Sequence, residues 1–363
     1  MNNLKDFNIF RDIRAFPISH GLIHAVIDAS SVTVIFQAKS LFDLGRHDFF
    51  YLVLAYNLIA FAGQALIGPL IDRFRFWRGT ALLGIVLTDL GVVALQVQPW
   101  LAMVLVGVGN ACFHVGAGAL SLYVDPGRAT APGLFVAPGA LGLALGTYLG
   151  KSAHCPTWPF LLVLAASLFI ALISAVPEVP AKEKIEPRRI DQRLAIILLL
   201  LTAIAIRALV GKAGGFACPK ALTISFGFAA AAFAGKAMGG IIADRFGWIE
   251  TTVGALLISA LLIGFGGANP LLIVPGMFLF QMAMPVTLTA VAGVLPGRPG
   301  TAFGLTCLAL IIGVLPTSFS AFKAYYNSML FMALALLAAA AIYFALRGMK
   351  STTPMKFSPK NRD

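Results

Sequence analysis

Apolar residues in this chain follow neither the strict alternation of a half-buried strand nor the single stripe of a water-facing helix. They gather into runs of about 18 to 25 residues separated by short polar punctuation, which matches a hydrocarbon core of roughly 30 Å at about 1.5 Å of rise per helical residue. An outer-membrane barrel would instead show segments of about ten residues with alternating polarity. The pattern predicts twelve transmembrane helices, over 14–37, 49–71, 79–96, 100–123, 130–150, 157–177, 194–213, 219–242, 250–267, 270–293, 299–321 and 326–347. Most connections are short, so consecutive helices are expected to be antiparallel neighbours. The exception is EVPAKEKIEPRRIDQR, residues 178–193, a charged linker that contains proline. The expected organisation is all-α and integral to the membrane, with one six-helix bundle in 1–177 and a second in 194–363 that ends in a short tail.

Composition supports this. Hydrophobic residues make up 59% of the 363 and charged residues 12%, against roughly 45–50% and 25% in soluble domains. The opening segment MNNLKDFNIFRDIRAF is polar and mixed in charge. It lacks the pattern of a cleaved signal peptide, so the first helix is expected to be its own insertion signal. The net charge of +12 is not gathered into a soluble basic patch of the kind that binds nucleic acid. It is better explained by topology: placing the N-terminus inside puts a large majority of lysines and arginines on that side. The positive-inside rule then assigns both termini and the linker to the cytoplasm, and the chain to the cell inner (plasma) membrane. Cys112 and Cys307 lie in apolar runs, while Cys155 and Cys218 fall in two outer loops, where their pairing depends on a separation that spacing does not give.

Ionisable residues inside apolar runs are the candidate chemistry. His20, His24 and Asp28 stand at i, i+4 and i+8 in the first run and share one helix face, drifting about 40° per step. An aspartate near mid-bilayer costs on the order of 2.5 to 3.5 kcal/mol and persists where it faces a protein interior or a wet cavity. Two readings stay open beside a purely structural hydrogen bond. In the first, Asp28 and His24 exchange a proton as the cavity opens to either side. In the second, His20, His24 and Asp28, with His114, bind a divalent transition metal or metal chelate. Arg207 and Lys236 are the remaining intramembrane cations, with Lys212 and Lys220 near the outer end of the same hairpin. Together they would favour an anionic or zwitterionic ligand. Asp89 in the third run is expected to pair with a neighbouring helix.

An internal repeat is the second strong signal. Gly68-Pro-Leu-Ile-Asp72-Arg73-Phe74 ends the second run, and Gly240-Ile-Ile-Ala-Asp244-Arg245-Phe246 ends the eighth. A glycine allows close approach of a neighbouring helix, and an Asp-Arg pair can bond helix ends across an interface. Arg78, Asp125 and Arg128 are expected to join Asp72 and Arg73 in this inner gate.

These paired segments in a six-plus-six layout resemble the signature loop of the major facilitator superfamily. The first copy has Arg75 where glycine is usual, and the second has Trp248 and Glu250 where basic residues are common. A narrower likeness joins His24-Ala-Val-Ile-Asp28 to Gly107-Val-Gly109-Asn110-Ala-Cys-Phe113-His114, which together are similar to the fosmidomycin-resistance-like branch of that superfamily. The resemblance implies a central cavity lined by the first, fourth, seventh and tenth helices. His24 and Asp28, His114, Arg207 and Gln281 would then look into one space assembled from both halves, and His20 and Lys236 are further candidates for binding substrate. The function expected is proton-coupled export (antiport) of a small organic compound by alternating access, with import of a small metabolite, metal transport or a non-transporting receptor as alternatives. The expected partners are a small-molecule substrate, protons and the lipid bilayer, with the chain acting as a monomer and without nucleic acid. No Gly-x-x-x-x-Gly-Lys-Ser/Thr phosphate loop is present, no cofactor is called for, and an enzyme is not expected.

Overall fold

The computed structural model describes residues 12–152, 155–180, 190–213, 221–323 and 325–350. The helices, in chain order, are α1 (Phe16–Leu41), α2 (Arg46–Asn57), α3 (Gln64–Phe74), α4 (Trp77–Ala94), α5 (Pro99–Ser121), α6 (Thr130–Val136), α7 (Gly139–Gly150), α8 (Trp158–Ile173), α9 (Ile190–Ala213), α10 (Leu222–Phe246), α11 (Trp248–Gly266), α12 (Pro270–Gln281), α13 (Ala283–Val294), α14 (Pro299–Val314), α15 (Ser320–Lys323) and α16 (Ser328–Lys350). Among the described residues, eleven helical stretches are long and apolar enough to cross a membrane.

The sixth expected span, 157–177, is the exception: α8 is helical only over Trp158–Ile173. Ser174 turns to extended backbone, and a residue preceding a proline, as Val176 precedes Pro177, is held out of helical geometry.

Three spans are interrupted where chemistry demands it. A π-helical turn, Leu58–Ala62, joins α2 to α3. Pro138 separates α6 from α7, and Pro285 lies in the first turn of α13, just past the break after α12. Proline donates no backbone hydrogen bond, so the breaks at Pro138 and Pro285 leave carbonyls at the ends of α6 and α12 without helical partners.

The outer surface is apolar, with large side chains such as Leu66, Phe265 and Leu271 exposed, as expected where lipid rather than water is the solvent. Inside, two hydrophobic cores form. One is built mainly from residues between Phe16 and Val179, with Leu288, Phe303 and Cys307 joining from later in the chain. The other is built mainly from residues between Ile196 and Met349, joined by Ala129. The two most extensive crossings between the regions are α3 against α14 and α6 against α10. At each, a glycine sits on the opposing backbone. Gly68 rests on the Gly300 carbonyl and Gly240 on the Ala129 carbonyl, with no room for a Cβ.

Candidate functional site

Asp28 sits near the middle of α1, only 3% exposed, with both carboxylate oxygens engaged. His24 Nε2 lies 3.2 Å from Oδ2. His114 Nε2 lies 3.5 Å from Oδ1, and Asn110 Nδ2 donates to Oδ1 at 2.9 Å. The two imidazoles meet edge to face with ring centres 4.1 Å apart.

The far nitrogens of the rings determine their chemistry. His24 Nδ1 is 3.0 Å from the Phe135 carbonyl, one of the orphans at the end of α6 ahead of the Pro138 break. His114 Nδ1 is 2.8 Å from the Asn110 carbonyl. A carbonyl only accepts, so each Nδ1 carries its hydrogen, and a neutral ring would turn an Nε2 lone pair toward the carboxylate. Two lone pairs and an anion packed this closely call for positive charge between them. Gly139 makes the space: a Cβ there would stand 2.8 Å from Asp28 Oδ2 and closer still to His24 Nε2.

The other predicted site residues divide. His20 is not part of the cluster. Although buried, it stacks on Phe16 with ring centres 3.8 Å apart and its Nδ1 bonds Ser19 Oγ, so the predicted three-residue stripe is two residues long. Arg207 is 6% exposed; its Nη2 donates to the Phe280 carbonyl at 2.9 Å, and the guanidinium lies over the Phe280 ring at 5.4 Å. That carbonyl, in the last turn of α12, is another orphan at a helix break. Lys236 is half-buried, and its backbone carbonyl packs against Gly133 of α6. Gln281 is half-buried and packs against Gly235. Asp89 lacks the expected partner, since its Oδ1 accepts no hydrogen bond among the described residues. Cys218 and Lys220 lie outside the described residues, and with them the pairing of Cys155.

The repeated segments meet two helix starts with near-equal geometry. Asp72 accepts from Gly300 N at 2.8 Å, Thr301 N at 2.7 Å and Thr301 Oγ1 at 2.8 Å, capping α14. Asp244 accepts from Ala129 N at 2.9 Å, Thr130 N at 2.8 Å and Thr130 Oγ1 at 2.6 Å, capping α6. Each carboxylate also accepts an indole N–H, from Trp77 at 2.8 Å and from Trp248 at 3.1 Å. Free N–H groups and the helix dipole make such helix starts natural anion sites.

Here the expected roles of several arginines need correction. Arg73 and Arg245 turn outward over Phe74 and Phe246 instead of joining the aspartates, whose oxygens the helix starts already occupy. Arg78 donates to the Leu172 carbonyl at 2.6 Å, and Arg75 to the Val179 and Pro180 carbonyls; both bind the end of α8 and the segment after it. Arg128 reaches Asp244 at 3.6 Å and Asp125 at 3.5 Å, away from Asp72. Thr130 and Thr301 were missed. Their signal was a second repeat, Pro126-Gly-Arg-Ala-Thr130-Ala against Pro296-Gly-Arg-Pro-Gly-Thr301-Ala. Asn110 had a signal too, standing i, i+4 from His114 as His24 stands from Asp28. Phe135 had none.

On the other side of Asp28 from these contacts, a cavity of about 450 Å³ begins one helical turn along α1 at Val32. It is walled by Tyr56, Asn57, Thr147, Lys151, Lys212 and Ile311, among others.

No protein-family model and no curated protein matches the sequence. Solved structures do match in shape. A single-residue variant of the E. coli fucose:proton symporter FucP superposes with a TM-score of 0.69 at 14% identity, covering 92% of this chain and 97% of that one. FucP described as a major facilitator superfamily transporter in the outward conformation gives 0.68 at 16% identity, over 93% and 99%. The human organic anion transporter MFSD10 (TETRAN) gives 0.66 at 16% identity, over 91% and 99%. The chain has the major facilitator fold. The likenesses cover 91–93% of this chain and 97–99% of those chains, so the shared fold extends over nearly the whole length of each.

Proposed function

We propose that this protein is a proton-coupled secondary active transporter that moves a small organic compound across the inner membrane by alternating access between six-helix halves, 1–177 and 194–363. The observation that carries the reading is the buried Asp28 carboxylate facing two imidazoles whose Nδ1 atoms are held by carbonyls. Such a cluster is an expensive thing to keep within a bilayer, and it takes up or releases positive charge at Nε2 or at the carboxylate. Lys236 and Arg207 add fixed positive charge from the second half, so protonation of Asp28 changes the balance of the whole central region. The two capping aspartates support a closed inner mouth, and the cavity beyond Val32 supports an open outer one. Rocking the halves about Asp28 would exchange the two.

The sign of coupling follows from substrate charge. A neutral or cationic compound that competes with the proton at Asp28 is exchanged against it, which is the export expected from the sequence. An anion is drawn in with the proton, which is import. The deciding experiment is Asp28→Asn in proteoliposomes under an imposed pH gradient: substrate-dependent proton flux disappears, and flux at the wild-type rate overturns the reading.

A second reading rests on the same atoms. His24, Asp28 and His114 offer ligand atoms within 4.8 Å of one another, and histidines that donate their other N–H to a carbonyl are typical of metal ligands. In that case the cargo is a divalent transition metal or its chelate, and strong chelators abolish transport.

A further inference from the structure

We propose that Lys151 and Lys212 form a subsite for the anionic head of an amphipathic organic ligand, at the mouth of the cavity beyond Asp28. The two lysines come from the ends of α7 and α9, on opposite sides of the linker, and face one chamber of about 450 Å³. Lys212 also lines an adjoining chamber of about 240 Å³. Lys151 Nζ lies over the ring of Phe36, 5.3 Å from its centre, and Phe36 is itself a wall of the cavity. This ammonium is therefore directed inward, whereas a lysine near a helix end ordinarily snorkels to the membrane surface.

No aspartate or glutamate lines either chamber, and among the described residues no carboxylate stands within ion-pair distance of either lysine. Two like charges thus face a mainly apolar space whose other polar walls, Tyr56, Asn57 and Thr147, are uncharged, a geometry that focuses positive potential and concentrates anions. The rest of the wall, with Ile35, Leu310 and Val314, suits an apolar body, and the volume lies in the range of small-molecule pockets, roughly 300–1,000 Å³. Two ammonium groups act as point charges without the planar fork of arginine, so the class specified is broad: a carboxylate, sulfonate or phosphonate on a hydrocarbon or aromatic frame. That this anion is cargo rests on the transport reading above; that it binds does not.

The test uses the full chain in detergent, with Cys155 and Cys218 replaced by serine and Thr147→Cys installed in the cavity wall. Its modification rate is measured with an anionic (sulfonatoethyl) and a cationic (trimethylammonioethyl) methanethiosulfonate, each normalised to a free thiol. The anionic reagent is expected to be favoured by about tenfold or more. Phenylphosphonate, but not neutral benzamide, should protect the cysteine. Lys151→Gln and Lys212→Gln should each weaken both effects, and the pair together should remove them, in protein that still elutes as a single species. Equal normalised rates, a preference that survives the double substitution, or a failure of phenylphosphonate to protect would each overturn the proposal. Loss of proton-linked transport with the preference intact would remove the transport reading alone, and the opposite result would remove the subsite alone.

Discussion

Replacing Asp72 by asparagine should weaken the α3–α14 contact by a calculable amount. In the closed arrangement Asp72 accepts three hydrogen bonds from the start of α14, at 2.8, 2.7 and 2.8 Å. Asparagine keeps one acceptor oxygen and turns its amide N–H₂ toward N–H donors: with the oxygen at the Oδ2 position the Gly300 N bond is lost, with it at Oδ1 the Thr301 N bond is lost, and in either case the charge goes too. Hydrogen bonds to charged groups contribute roughly 1.5–3 kcal/mol each when buried. Asp72 is half-buried and its bonds are exchanged for water on opening, so about 2 kcal/mol in total is the reasonable loss, or about a thirtyfold rise in the open population. Thr289 supplies the reporter. It is 4% exposed and lines a crevice of about 110 Å³ between residues 122–127, which follow α5, and the end of α13. With Thr289→Cys in a background free of other cysteines, the rate of alkylation by N-ethylmaleimide tracks the open fraction, and Asp72→Asn should raise it about thirtyfold. Asp244→Asn should match it, because its three bonds to α6 are equivalent. Both contacts must break in the same opening, so the double variant should add to about 4 kcal/mol unless the open state saturates. Alkylation within twofold of wild type in both single variants would refute the reasoning.

Further outcomes follow from the same geometry. His114→Asn should lower proton-linked flux in proteoliposomes by about tenfold or more, as loss of a positioned proton carrier does, whereas His20→Ala should leave it unchanged because that ring stacks on Phe16. Gly139→Ala places a methyl against His24 and Asp28; flux should fall although no charged group has been altered, and wild-type flux would show that the cluster tolerates displacement. Arg207→Met removes a charge-assisted bond to the Phe280 carbonyl and should lower stability to denaturation in detergent by about 1.5–3 kcal/mol, with Arg207→Lys recovering part of it.

Hydropathy and repetition alone specified much of this protein. A bilayer admits helices that satisfy their own backbone, so runs of the right length had one available structure, and eleven of the twelve expected spans appear among the described residues. The sixth fell short because Ser174 and Pro177 stop the helix, a local effect that average hydropathy does not register. Asp28, His24 and His114 stood out as candidates because charge inside an apolar run is costly wherever it occurs. Tertiary structure alone decided which of them meet. Sequence spacing placed His20 beside His24 as readily as His114, but helix crossing brings α5 to Asp28, while Phe16 takes His20. The same holds at the two capping contacts, where Asp72 and Asp244 were visible as a repeat and their pairing with α14 and α6 was not. Those partners are the N–H groups and threonine hydroxyls of two helix starts distant in the chain: the second repeat marks the segments, but only packing pairs Asp72 with Thr301 and Asp244 with Thr130.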